Sequence, residues 1–127
     1  MTAGELMTRN FETIRADADL DEVHRKLQSS GMSLLPVCQD ELLVGTVTHE
    51  DVAVRAPLAR RATSPRVADV IAADLLFCYE STDVKEAAKL MRENRVTLLP
   101  VLGSGKKIVG VLALESIPVA EPSPKKV

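Results

Sequence analysis

The chain is written twice, and no other feature limits its fold as much. LLPV at Leu34 to Val37 returns 64 residues later as LLPV at Leu98 to Val101. The same shift lays AGELM (Ala3 to Met7) on VADVI (Val67 to Ile71), with the apolar positions kept. It also lays Asp19, Leu20, Glu22, Val23 and Leu27 on Asp83, Val84, Glu86, Ala87 and Met91. One extra residue after the LLPV stretch makes the shift 65, so Val44-Gly45 falls on Val109-Gly110. A period of this length marks a duplicated supersecondary unit, and a unit this small buries too little surface to stand alone.

Each copy reads strand, helix, strand, strand, helix, which makes the fold class α+β. A short apolar segment comes first (Glu12 to Ile14; Leu76 to Tyr79). A helix follows, with Leu20, Val23, Leu27 and Val84, Ala87, Met91 at the i, i+3, i+7 spacing of one buried face. Asp19 and Asp83 are N-caps, each with a glutamate three residues on that can reach back as in a capping box. Gly31 ends the first helix and Asn94 the second.

Two strands come next: Leu34 to Cys38 and Leu42 to Thr48, then Leu98 to Leu102 and Ile108 to Ala113. Pro36 and Pro100 lack a ladder donor and suggest an edge strand or a strand start. A last helix begins near His49 and runs to about Arg55; in the second copy Pro118 cuts it off. The boundaries are therefore repeat one at 3–55, a linker at 56–66, repeat two at 67–117 and a disordered tail at 118–127. Stacked sheet face to sheet face about a pseudo-two-fold axis, the copies would share one core.

Composition enters mainly to exclude. The net charge of −2 and three aromatics give no support to nucleic-acid binding. Arg55, Arg60, Arg61 and Arg66 are more simply a solvated or salt-bridged linker cluster. Apolar runs are too short to span a bilayer, no leader opens the chain, and the expectation is a cytoplasmic protein. Cys38 and Cys78 read as small buried side chains, and neither histidine (His24, His49) stands near them, so no metal site is expected. No nucleophile–base–acid constellation or phosphate loop is visible, so no enzyme is expected.

The two copies differ at one corner. GTVTHED (Gly45 to Asp51) carries Thr48 and Asp51 where GVLALES (Gly110 to Ser116) has Ala113 and Ser116. One reading makes Thr48 the N-cap of a helix and Asp51 an acid in its first turn. Another makes the pair a binding site.

The Met7-Thr8 pair, the ADLDEV helix start, LLPV and the G-T-V-T-x-x-D pattern together resemble a CBS domain. The second copy resembles another, so the chain from Ala3 to Ile117 is similar to a tandem CBS pair, or Bateman module. That resemblance implies a regulatory module that binds an adenosyl ligand (AMP, ADP, ATP, NAD or S-adenosylmethionine) between the repeats and pairs as a homodimer. It places Thr48 and Asp51 at the cleft, with Asp51 accepting the ribose hydroxyls. Arg55, four residues on, is a candidate for a phosphate, and Thr13 and Leu35 are candidates to line the base.

Family members that reach phosphates with a basic residue before the L-P-V proline differ from this chain, which has Ser33-Leu34 and Thr97-Leu98. An AMP-like or uncharged adenosyl ligand is thereby favoured over a triphosphate. Ala113 and Ser116 imply a weak or degenerate second site. With nothing but the pair after Met1, the regulated protein is expected to be a separate chain. The alternative function is a ligand-free dimerisation or adaptor domain.

Overall fold

A computed structural model describes residues 1–53, 66–69, 71 and 75–118. Most of the linker, Arg55 and the tail beyond Pro118 lie outside the described residues. The first repeat contains helix α1 (Ala3–Leu6), strand β1 (Ile14–Arg15), helix α2 (Leu20–Ser30), strands β2 (Leu34–Gln39) and β3 (Leu42–Thr48), and a helix, α3, at residues 49–53. The second opens with a 3-10 turn (Val67–Asp69) and continues with β4 (Cys78–Tyr79), α4 (Val84–Asn94), β5 (Leu98–Leu102) and β6 (Ile108–Ala113). It closes on a 3-10 turn at Leu114–Ser116.

Each repeat carries a three-stranded sheet, β1-β2-β3 or β4-β5-β6, in which the first pair is parallel and the second antiparallel. The strand carrying LLPV is therefore the central one, not an edge. Its proline is tolerated because β1 pairs only with Val37 and Cys38, and β4 only with Val101 and Leu102, so the neighbour does not reach Pro36 or Pro100. Both sheets bulge at the same place. Val37 pairs with Gly45 and Cys38 with Leu43, which leaves Val44 extra; Val109 is extra in the same way.

Asp19 accepts from the Glu22 amide and caps α2, and Asp83 accepts from the Lys85 amide and caps α4. The expected return bonds from Glu22 and Glu86 are not made. Gly31 ends α2 in the left-handed region (φ 72°). At the end of α4 that conformation falls to Arg95, not Asn94, whose amide donates to the Leu90 carbonyl at 2.9 Å.

Among the described residues, most buried apolar side chains fall into two clusters, one per repeat, where one shared core was expected, and the repeats contribute to them by exchange. Val67 and Ile71 of the second repeat pack into the first cluster. Ala3, Leu6 and Met7 of the first pack into the second. The main chain repeats this symmetry. Ala3 N and Gly4 N donate to Thr82 O (2.7 Å) and Glu80 O (2.9 Å), while Val67 N and Ala68 N donate to Ala18 O (2.8 Å) and Ala16 O (3.2 Å). The pseudo-two-fold axis passes near the Ser33 and Thr97 hydroxyls, 3.1 Å apart, and near the bridge between Leu42 and Lys107.

Candidate functional site

At the first repeat's corner, strand β3 turns directly into α3. The Asp51 amide donates to Thr48 Oγ1 at 3.1 Å, and the Thr48 amide donates to Asp51 Oδ2 at 3.0 Å. This is a reciprocal capping box, with aspartate in the place usually taken by glutamate. Both side chains are half-buried. The box fixes the carboxylate beside the unpaired N–H groups of a helix start, and Oδ1 takes no bond from the described residues. A carboxylate held in this way has lone pairs for vicinal hydroxyls without further ordering.

The second corner keeps the backbone course and loses the box. Ala113 gives its turn no side-chain cap. Leu114 N instead donates to Thr97 O at 2.9 Å, and Ile117 N to Leu114 O at 3.1 Å. Ile117 packs into the second cluster, Ser116 points to solvent, and Pro118 follows.

The remaining candidates are dispersed. Thr13 is half-buried just ahead of β1, and its carbonyl accepts from Lys26 Nζ at 2.6 Å. Leu35 is 0% exposed within the first cluster, so its side chain is committed to packing and only its main chain is left for a ligand. Arg55 lies outside the described residues. His24 and His49 are both exposed.

The walls of each corner come from the other repeat, which reading each copy by itself does not reveal. A side chain at Gly45 would meet Ile71 Cδ1 at 2.8 Å. One at Gly110 would meet Met7 Sδ at 2.6 Å and Thr8 O at 2.8 Å. Thr8 also exchanges two backbone hydrogen bonds with Val111, 2.8 and 3.0 Å long. Met7 and Ile71 lie 64 residues apart and Gly45 and Gly110 occupy one repeat position, so the two contacts are related by the duplication. Neither glycine has a positive φ. Both are required by this close approach.

Among the described residues, no group of three or more His, Cys, Asp or Glu lies close enough together to hold a metal ion. No described helix is long and apolar enough to cross a membrane. Cys38 and Cys78 are unpaired thiols, and burial raises both above the ordinary value, Cys78 to about 11.

Comparison with known proteins gives a consistent result. Residues 3–56 and 67–117 each match the CBS domain family. The chain is 30% identical over 116 residues to inosine-5'-monophosphate dehydrogenase of Methanocaldococcus jannaschii, a match spanning 91% of this chain but 22% of that enzyme. Among solved structures, CBSX2 in complex with AMP superposes with a TM-score of 0.81 at 26% identity over 91% of both chains. The cytosolic domain of the Mg2+ channel MgtE in complex with ATP superposes with a TM-score of 0.74 at 25% identity, covering 91% of this chain and 46% of that one. Two exchanged copies of one α+β unit, each matching the same family, make this chain a member of the CBS domain family, arranged as a tandem pair.

Proposed function

We propose that the pair is a regulatory module that binds an adenosyl ligand, AMP-like in preference, at the Thr48–Asp51 corner and acts on a separate partner protein as a homodimer. The observation that carries this reading is the carboxylate of Asp51, oriented by its own capping box, with one oxygen uncommitted among the described residues. Charge-assisted bonds from two ribose hydroxyls to it are worth roughly 1.5–3 kcal/mol each before the costs of ordering. CBSX2 with AMP and MgtE with ATP, at 26% and 25% identity, support the ligand class. Ser33 and Thr97, which hold positions where a basic residue would favour a triphosphate, supply neutral hydroxyls instead. In this reading Arg55 meets the phosphate, the main chain at Thr13 and Leu35 lines the base, and the Ala113–Ser116 corner binds weakly or not at all.

A second reading has its own observation. The capping box fully accounts for Thr48 and Asp51 as helix-starting residues, which fits a ligand-free adaptor.

Thermal unfolding with millimolar AMP, ADP, ATP, NAD and S-adenosylmethionine separates the two. A ligand at roughly a hundred times its Kd adds about 2.7 kcal/mol and raises Tm by several degrees. Asp51→Asn keeps an acceptor for the Thr48 amide but removes the charge, so it is expected to erase the AMP shift while Ser116→Ala preserves it. If none of the five compounds moves Tm, the adaptor reading stands.

A further inference from the structure

The ends of β1 and β2 away from the Thr48–Asp51 corner border a cleft of about 440 Å3. Arg15, Asp17, Cys38, Asp40, Arg66 and the small side chain of Ala16 contribute to its lining, together with Gln39 and Ala68. Arg66, the last residue of the linker, donates to the Asp17 carbonyl at 3.3 Å, while Arg15 meets the Asp17 carboxylate at 2.9 Å.

The second repeat shows what belongs in the equivalent space. The 64-residue shift places Ala16 on Glu80, Gln39 on Gly103 and Ala68 on Gly4. The backbones agree. Ala16 N donates to Cys38 O (3.0 Å) as Glu80 N donates to Leu102 O (3.1 Å), and Ala68 N donates to Ala16 O as Gly4 N donates to Glu80 O. The Glu80 side chain there runs from Gly4 to Gly103. Its Cβ lies 3.2 Å, and its Oε2 2.8 Å, from where a Cβ on Gly4 and on Gly103 would stand. The second repeat thus carries a carboxylate on its own chain across that space. In the first repeat Ala16 leaves the space open and two guanidinium groups border it.

We infer that the first repeat's cleft is a second ligand site, for a small zwitterion of the amino-acid class. Its carboxylate takes the place that the Glu80 carboxylate takes in the other repeat, beside Arg66 and Arg15, each of which has several N–H donors. Its ammonium group faces Asp17 and Asp40. The lining has two cationic and two anionic side chains. Arg15 and Asp17 already pair with each other and the lining carries no net charge, so it favours neither a simple anion nor a simple cation, and a zwitterion fits it best. The site is distinct from the adenosyl corner, because it lies at the opposite strand ends and shares none of the candidate residues there.

The test is an amide NMR titration of the full chain with a panel of free L-amino acids at millimolar concentration, with acetate and methylammonium as controls. Saturable shifts at Ala16, Gln39 and Ala68 with at least one amino acid, and much weaker shifts with either control, are expected. Ala16→Glu, which copies the second repeat, should abolish them with the other cross-peaks in place. Arg66→Gln, an exposed change that keeps the fold, should weaken binding about tenfold, the loss of one charge-assisted bond. The inference fails if no amino acid shifts these amides, if acetate alone reproduces the shifts, or if they survive both substitutions.

Discussion

The corner at Thr48 and the corner at Ala113 hold the same position in two copies of one fold, yet they are built differently. The first is tied by side chains, through a reciprocal threonine–aspartate box that starts an α-helix. The second is tied by the main chain, through Leu114 N to Thr97 O, and makes one 3-10 turn before Pro118. Since the fold closes at both corners, the polar pair is not needed to complete a repeat. What both copies keep is structural: LLPV at the centre of the sheet, an aspartate N-cap, a bulge, and a glycine facing the other copy's leading segment. Residues common to the copies report on packing, and residues that differ are where a site is to be sought.

The comparison can be broken most forcefully in the cores. Leu35 and Leu99 hold matching positions, both 0% exposed, and Leu→Ala at either should cost about 2–5 kcal/mol. Urea denaturation should find the two losses similar, and a large imbalance would show that one core dominates. The glycine pair tests the exchange itself. Gly110→Ala presses on the Thr8 carbonyl and should cost about 1–3 kcal/mol, whereas Gly45→Ala presses on a side-chain tip, Ile71 Cδ1, and should cost less. Equal losses would mean the two walls yield alike.

A smaller effect is expected at the first corner, where Thr48→Ala removes one partner of the box and should lower stability by about 1 kcal/mol. Ser116→Ala, at the position matching Asp51, should leave stability unchanged within error, because its side chain bonds none of the described residues.

A last effect appears only at alkaline pH and concerns the thiols. An unfolded chain releases the Cys78 proton near the ordinary value of 9.0, but the folded chain holds it to about 11. The folded form therefore binds the extra proton between those values, and stability should fall as pH rises through that window. Replacing Cys78 with alanine should flatten that slope. In native protein, alkylation followed by mass spectrometry should label the half-buried Cys38 before the buried Cys78.

Much of this architecture was legible in the residues. Apolar spacing gave both long helices, and Asp19, Asp83 and Gly31 mark their ends because capping is a local interaction. The strand borders at 98–102 and 108–113 also agree with the structure, where the two strands pair with each other across a short connection. Contacts between the copies were not legible. Nothing near Gly45 in sequence indicates Ile71, and nothing near Pro36 shows that β1 is too short to reach it. The prolines therefore read as marks of an edge or of a strand start, although they lie within central strands. Asn94 read as the helix stop because it tolerates the left-handed conformation, but its side chain is spent on the Leu90 carbonyl and Arg95 takes the turn. At the site, the Thr48–Asp51 pair was visible as chemistry, but its mutual bonding was one of two readings the residues allowed.

The exchange of leading segments has a consequence for how such a chain can exist at all. A lone repeat would hold a segment, Ala3 to Met7 or Val67 to Ile71, whose packing partner is a second copy. In topology the protein is thus a segment-swapped dimer joined into one polypeptide. Cutting the chain within residues 56–65 should leave two halves that each hold the other's missing piece and stay together as a heterodimer, with their affinity, no longer an intramolecular constraint, setting how dilute they can become before both unfold.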